Sequence, residues 1–245
     1  MNEEIIKAQE DNARTPNYNK WILESILPYV GTRILDVGAG QGNFLPYFLQ
    51  KEFLLATDIL DVFVEKLTVT YSLRTNVKVC KADIQNEEFI EIARRYYVDT
   101  VICNNVLEHV QDDQKALRNI SAMLPPGGRG NLILVLPAFQ ILYSRWDRAV
   151  GHFRRYDFSD IQSKLQKEGF SIKRSFYMNC IGFFAWFVNG KILHNTPYTG
   201  AFIKEQVLLF DRYMVKPLRF MERIIPPAFG QTLVIIAHHT YSPIK

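Results

Sequence analysis

The residues with most to offer chemically run from 34 to 44: Ile34-Leu35-Asp36-Val37-Gly38-Ala39-Gly40-Gln41-Gly42-Asn43-Phe44. An apolar run that ends in an acid and passes into closely spaced glycines reads as a buried strand turning tightly into a helix, because residues without a Cβ let backbone approach a ligand. Gly38, Ala39 and Gly40 therefore predict a nucleoside cleft. Dinucleotide-binding turns share that layout, but they want a third small residue where this chain has Asn43, and they rest a pyrophosphate on the helix N-terminus. Asp36 stands just ahead of the first glycine. There it would repel a pyrophosphate by roughly 4 kcal/mol per charge pair at about 4 Å and an effective dielectric near 20, and would attract an ammonium or sulfonium equally well. The turn favours S-adenosylmethionine over NAD. Asp58, about twenty residues beyond the first glycine at the end of a second apolar run, is placed to accept hydrogen bonds from both ribose hydroxyls. Its other reading is a cap for the next helix, with Ile59 beside it.

The densest chemistry lies in Tyr143-Ser144-Arg145-Trp146-Asp147-Arg148-Ala149-Val150-Gly151-His152-Phe153-Arg154-Arg155-Tyr156. It follows a strand C-terminus, the edge where open α/β sheets bind ligands. One reading makes it a substrate site: His152 takes a proton from an acceptor hydroxyl or amine, while Arg145, Trp146, Arg154, Arg155 and Tyr156 hold a polar or anionic part. The other makes it a lid pinned by Asp147 pairing with Arg154 or Arg155. His109 is a second candidate base, since an imidazole titrates near 6.5, or else it packs a helix start against the sheet. Glu108 and His109 stand side by side without a third ligand at metal spacing, so no metal is expected.

Leu35-Asp36-Val37-Gly38-Ala39-Gly40-Gln41-Gly42 resembles the first motif of the class I S-adenosylmethionine-dependent methyltransferases, and later stretches resemble further motifs of that family in its order. Asn17-Tyr18-Asn19-Lys20-Trp21 is similar to a segment of methyltransferases found beside bacterial glycosyltransferases, which implies that Tyr18 or Asn19 touches the methionine end of the cofactor. Read alone, those residues make a surface helix with a Trp anchor. The resemblance also implies that Asp83 accepts from the adenine amine, that Ile84 lies against the ring, and that Asn104 or Asn105 offers an amide to the methionine. Asn105-Val106-Leu107-Glu108-His109 and Gly151-His152-Phe153-Arg154-Arg155-Tyr156 resemble, respectively, the stretch past the family's fourth strand and an acceptor-site string. The implied activity is transfer of the sulfonium methyl to an oxygen or nitrogen of a small molecule, lipid or glycan precursor. Two rival readings are an NAD-dependent oxidoreductase and a membrane-associated or oligomeric protein that keeps the cofactor pocket without catalysis.

Strand candidates at 34–37, 53–58, 77–82, 98–103, 131–137, 170–177 and 231–239 alternate with helix candidates near 18–27, 42–50, 86–96, 112–124 and 157–169. That order predicts a doubly wound α/β sheet, and the resemblance implies that it is Rossmann-like with seven strands, the last antiparallel. Residues 1–178 and 231–245 would form the cofactor-binding domain, with 1–30 an N-terminal helical segment and 179–230 an α-helical cap inserted between the last two strands. Within the insertion Ile203, Val207, Phe210, Met214, Leu218 and Met221 recur at helical spacing among Lys204, Arg212, Lys216, Arg219 and Arg223. Such a helix can cover the pocket, pair with a second copy as a homodimer, or lie on an anionic membrane through 203–224. Pro217 predicts a kink in it.

A chain of 245 residues, 48% hydrophobic, can bury one sizeable core. Its formal charge of +4, without basic clusters interleaved with aromatics, predicts no nucleic-acid partner. Cys80, Cys103 and Cys180 are scattered through apolar runs and read as buried thiols in a reducing compartment. Met1–Lys7 lacks the layout of a secretion signal, and no apolar stretch nears the roughly 20 residues of a bilayer span. A cytoplasmic protein is expected, with peripheral membrane contact left open. His238 and His239 close a buried strand and are not read as ligands.

Overall fold

The apolar runs become strands β1 (Arg33–Val37), β2 (Phe53–Asp58), β3 (Val77–Lys81), β4 (Thr100–Asn104), β5 (Asn131–Pro137), β6 (Phe170–Met178) and β7 (Thr232–His239). In this computed structural model, which describes residues 6, 9–10, 13–194 and 201–240, they join in the order β3-β2-β1-β4-β5-β7-β6. Expectations touching 1–5, 195–200 and 241–245, and those for the side chains of Ile203 and Lys204, lie outside the described residues. Strands β1 to β5 pair in parallel, whereas β7 runs antiparallel to both β5 and β6. The inner strands are buried on both faces, which is why they read as continuous apolar runs, while β6 at one edge alternates. Strand β4 begins two residues later than its apolar run. The Asp99 carboxylate accepts from the backbone N–H of Thr32 (2.9 Å) and Arg33 (3.1 Å) at the entry to β1, while its own N–H donates to Arg33 O (2.8 Å) and its carbonyl accepts from Asn131 N (2.8 Å).

Successive strand residues point to opposite faces, so the sheet splits the core in two. Leu35, Val101 and Leu134 pack under helices α4 (Glu87–Arg95), α5 (Asp113–Met123) and α7 (Phe158–Lys167). Ile34, Ile102 and Ile133 pack on the other face under α1 (Pro16–Ile26), α2 (Leu45–Phe48), α3 (Asp61–Thr70) and α10 (Val215–Ile224). Trp21 belongs to this second cluster, so α1 is a core helix rather than a surface one. The expected helix over 42–50 shrinks to α2. Pro46 supplies no N–H there, and the flanking turns close through short-range bonds from Leu45 N to Gly42 O (3.1 Å) and Tyr47 N to Phe44 O (3.1 Å).

Among its described residues the segment between β6 and β7 holds α8 (Cys180–Phe187), α9 (Ala201–Leu209) and α10, with a π-helical turn at Phe210–Met214. The expected kink at Pro217 appears as that turn. Proline has no N–H for the carbonyl of Tyr213 and its ring crowds it, so the backbone widens just upstream. The apolar stripe read from the sequence is also displaced: Val207, Met214 and Met221 are exposed, and the inward face is Asp211, Val215, Leu218 and Glu222. The two acids turn inward because each caps a helix. Asp211 accepts from the N–H of Asn17 (3.2 Å) and Tyr18 (2.8 Å) at the start of α1, and Glu222 from Asn179 (3.0 Å) and Cys180 (2.8 Å) at the start of α8.

Candidate active site

The turn leaving β1 requires its glycines. Gly38 has φ +64, and a Cβ there would stand 2.7 Å from Val106 Cγ2. The turn is tied to β2 by Ala39 N to Thr57 O (2.9 Å) and Gly40 N to Asp58 Oδ2 (2.8 Å). The other Asp58 oxygen accepts from Leu60 N (3.0 Å), so this carboxylate both braces the glycine turn and starts the approach to α3. Burial pushes its carboxyl above the ordinary range, against the lowering effect of these backbone N–H groups. Asp36 is more perturbed. Burial first, and then the neighbouring charge of Asp58, raise its carboxyl to about 7, so it is poised to gain from any cation brought beside it.

Asp83, after β3, turns one oxygen to Gln85 N (2.9 Å). The Ile84 side chain is buried in the core and its carbonyl accepts from Asn119 Nδ2 (2.8 Å), whereas Ile59 is exposed. Past β4, Asn105 adopts a left-handed conformation (φ +52) and donates from Nδ2 to Asn104 Oδ1 (3.3 Å). Asn105 faces a cavity and Asn104 does not.

That cavity, about 580 Å³, lies between the C-terminal edge of the strands and the helical insertion. Its walls include Tyr18, Asn105, Glu108, His109, Trp146 and His152 on one side and Trp186, Phe210 and Val215 of the insertion on the other. Tyr18 shares a 2.6 Å hydrogen bond with Thr232 Oγ1, and burial, outweighing that bond, pushes its phenol to about 12. Asn19 is buried within α1.

His152 is held by Asp147, whose Oδ1 lies 3.0 Å from His152 Nδ1. Asp147 is fully buried and also accepts from Ser144 N (2.9 Å), Ser144 Oγ (3.0 Å) and Arg155 Nε (2.8 Å). Burial alone would raise this carboxyl, but His152 and Arg155 hold it well below the usual range. An ionised acceptor at Nδ1 places the proton there and leaves the lone pair of Nε2 toward the cavity. Nε2 stands 4.0 Å from Glu108 Oε1, and the His109 ring meets the His152 ring edge to face at 4.6 Å. Glu108 is fully buried, with no hydrogen bond to either carboxylate oxygen among the described residues. Burial lifts it to about 7, a shift that a protonated His152 would oppose, and burial first, with a protonated His152 second, lowers His109 to about 3. Both effects favour the neutral form of the His109 ring.

Of the five residues expected to grip substrate, only Trp146 faces the cavity. Arg145 is exposed, and Arg154 donates to Val110 O (3.0 Å) and Gln111 O (2.7 Å) and pairs with Asp113 (2.9 Å). Arg155 is buried against Asp147 and over the Trp186 ring (4.6 Å), and the Tyr156 hydroxyl donates toward Asp113 (2.9 Å) and Leu107 O (3.1 Å). The pinned connection and the histidine facing the pocket are therefore one structure, since the charges that look outward in sequence satisfy each other beneath it. Sequence reasoning missed Trp186 and the side of Glu108 that meets His152. For Glu108 the only signal was the Leu107-Glu108-His109 triplet, and for Trp186 its place in an apolar run of the insertion.

A family profile described as a methyltransferase domain matches residues 7–174. The chain is 33% identical over 112 residues to a ubiquinone biosynthesis O-methyltransferase of Aliivibrio fischeri, a match that covers 44% of this chain and 46% of that protein. The chain thus spans about half the length of the curated relatives it matches. Among solved structures, a CurJ carbon methyltransferase superposes with TM-score 0.57 at 17% identity, covering 93% of this chain and 54% of the other. A SAM dependent methyltransferase from Archaeoglobus fulgidus superposes with TM-score 0.55 at 17% identity, covering 90% and 94%. At such identities these likenesses speak for the fold.

Proposed function

Because this chain belongs to the class I S-adenosylmethionine-dependent methyltransferases, we propose that it moves the sulfonium methyl in line to an oxygen or nitrogen of a small, largely apolar acceptor of the lipid or glycan-precursor class. The observation that carries this reading is the Asp147-oriented His152, aimed into an apolar cavity that begins at Asn105, where the strand edge meets the glycine turn. On the donor side Asp58 would hold the ribose and Asp36 the positive charge. Asp83 would take the adenine amine, while Asn105 and Tyr18 border the methionine.

The sulfonium is already activated, so alignment supplies most of the rate and the acceptor needs only placement and somewhere for its proton to go. His152 Nε2 is the group best placed to take it. The insertion serves as the cap of this pocket, and most of the exposed large apolar side chains among the described residues fall between Ile181 and Ile225, among them Phe184, Leu193, Phe220 and Ile225. With Arg212, Lys216 and Arg223 interspersed, that surface suits an anionic membrane from which a lipid acceptor enters.

The test is methyl transfer from labelled S-adenosylmethionine into aqueous and lipid extracts. Label is expected in the organic phase, and His152→Ala should lower turnover about 100-fold or more while leaving donor affinity unchanged. Absence of labelled product from every pool, with donor bound, would leave a non-catalytic binding protein.

A further inference from the structure

We propose that Glu108, His109 and His152 together bind a divalent transition-metal cation of the zinc class at the floor of the acceptor cavity. One donor atom from each of the three lies within 4.8 Å of the others, the one such group among the described residues. Glu108 is fully buried and, among the described residues, neither of its carboxylate oxygens has a hydrogen-bond partner, nor does the buried Nδ1 of His109. Buried polar atoms are rarely left so, and a buried, unpartnered carboxylate within ligand reach of two imidazoles calls for a ligand there. The third residue is prepared for ligation in the way metal-bound histidines commonly are. Asp147 holds His152 Nδ1 at 3.0 Å, which fixes the ring and frees Nε2.

Two imidazoles and one carboxylate make a donor set suited to zinc or cobalt, with a fourth position open to the cavity. A tetrahedral centre with bonds of about 2.1 Å sets its ligands about 3.4 Å apart, so the side chains need to draw together by roughly an ångström. Glu108 and His109 share the helical turn Leu107–His109, and His152 follows α6 (Arg145–Ala149) on a separate loop.

The chemistry deepens the methyltransferase reading and rests on it, though binding itself does not. The open position would take an acceptor hydroxyl and lower its pKa. Its proton leaves to solvent, the oxygen pair forms the new O–CH3 bond, and the S–CH3 bond breaks with its electrons going to sulfur. The cation is unchanged; in the loaded protein His152 serves as a ligand and the bound hydroxyl loses its proton to solvent, so the proton-accepting role given to His152 above applies to the metal-free protein.

The experiment is calorimetric titration of untagged, chelator-treated protein with Zn2+ and no donor present. About one equivalent is expected, with Glu108→Gln, His109→Ala and His152→Ala each weakening binding tenfold or more. The unaltered protein loaded with Co2+ gives a reading independent of any variant: an intense visible spectrum of tetrahedral type is expected, and a pale octahedral one overturns the site. So does uptake that the Glu108→Gln and His152→Ala variants, verified as folded by circular dichroism, leave unchanged. If the cation binds as described but no methyl is transferred, the site stands and the methyltransferase reading falls. If methyl transfer persists in chelator and no Zn2+ binds, the reverse holds.

Discussion

Replacing Asp36 with Asn keeps the shape of the side chain and removes its charge. In the free protein this carboxyl is raised to about 7 by burial and by Asp58, so its ionised fraction falls from about nine-tenths at pH 8 to about one-tenth at pH 6. A cation about 4 Å away, at an effective dielectric near 20, favours the ionised form by roughly 4 kcal/mol, enough to pull the bound-state pKa well below 6. The sign follows from linkage: a pKa lowered on binding means proton release, and affinity that climbs as pH rises through 7. S-Adenosylmethionine should bind about tenfold more weakly at pH 6 than at pH 8, roughly 1.4 kcal/mol, with heats that depend on buffer ionisation. Asp36→Asn should bind at least tenfold more weakly at pH 8 and lose that part of the pH slope. Calorimetry across the range reads both. A variant whose profile parallels the wild type would show that Asp36 does not face the positive charge of the donor.

Asp58→Ala removes the acceptor of the Gly40 and Leu60 amides and should weaken donor binding by roughly 1.5–3 kcal/mol; an unchanged dissociation constant removes it from the ribose site. Gly38→Ala forces a side chain into a left-handed backbone against Val106, so thermal unfolding should show a loss of at least about 1 kcal/mol and donor binding should be impaired. Reversing Lys216 and Arg223 should abolish co-sedimentation with anionic vesicles. Arg219 is left alone because it pairs with Glu24 of α1, and wild-type protein that stays in the supernatant ends the membrane reading.

The sheet was legible because its inner strands are buried on both faces and therefore advertise themselves as unbroken apolar runs. The glycine turn was legible for a different reason, since the backbone geometry there is local and only a few residue types permit it, and Asp58 stood out by its place at the end of the second apolar run. Arg154, Arg155 and Tyr156 could be read two ways because a charge that binds substrate and one that neutralises a buried partner need the same residue types. Arg155 pairs with Asp147, as the pinned reading of the sequence had it, while the partner of Arg154 and Tyr156, Asp113, is visible only in the fold. The meeting of Glu108 and His109 with His152 joins two loops through the sheet edge and leaves no spacing to read. In the insertion, hydrophobic periodicity chose the neighbouring stripe because half of the true inward face is acidic.

Those two acids, Asp211 in the π-helical turn and Glu222 in α10, make this stretch a single stave nailed to both jambs of the doorway. Asp211 secures the start of α1, which carries Tyr18, and Glu222 secures the start of α8, which carries Trp186. Prising the stave outward would bare both helix starts in one motion, so the amides of Tyr18 and Cys180, remote in the chain, should exchange with deuterium in step rather than separately. Exchange of that kind would make entry to the pocket a matter of one cooperative opening, and independent exchange of the two amides would refute it.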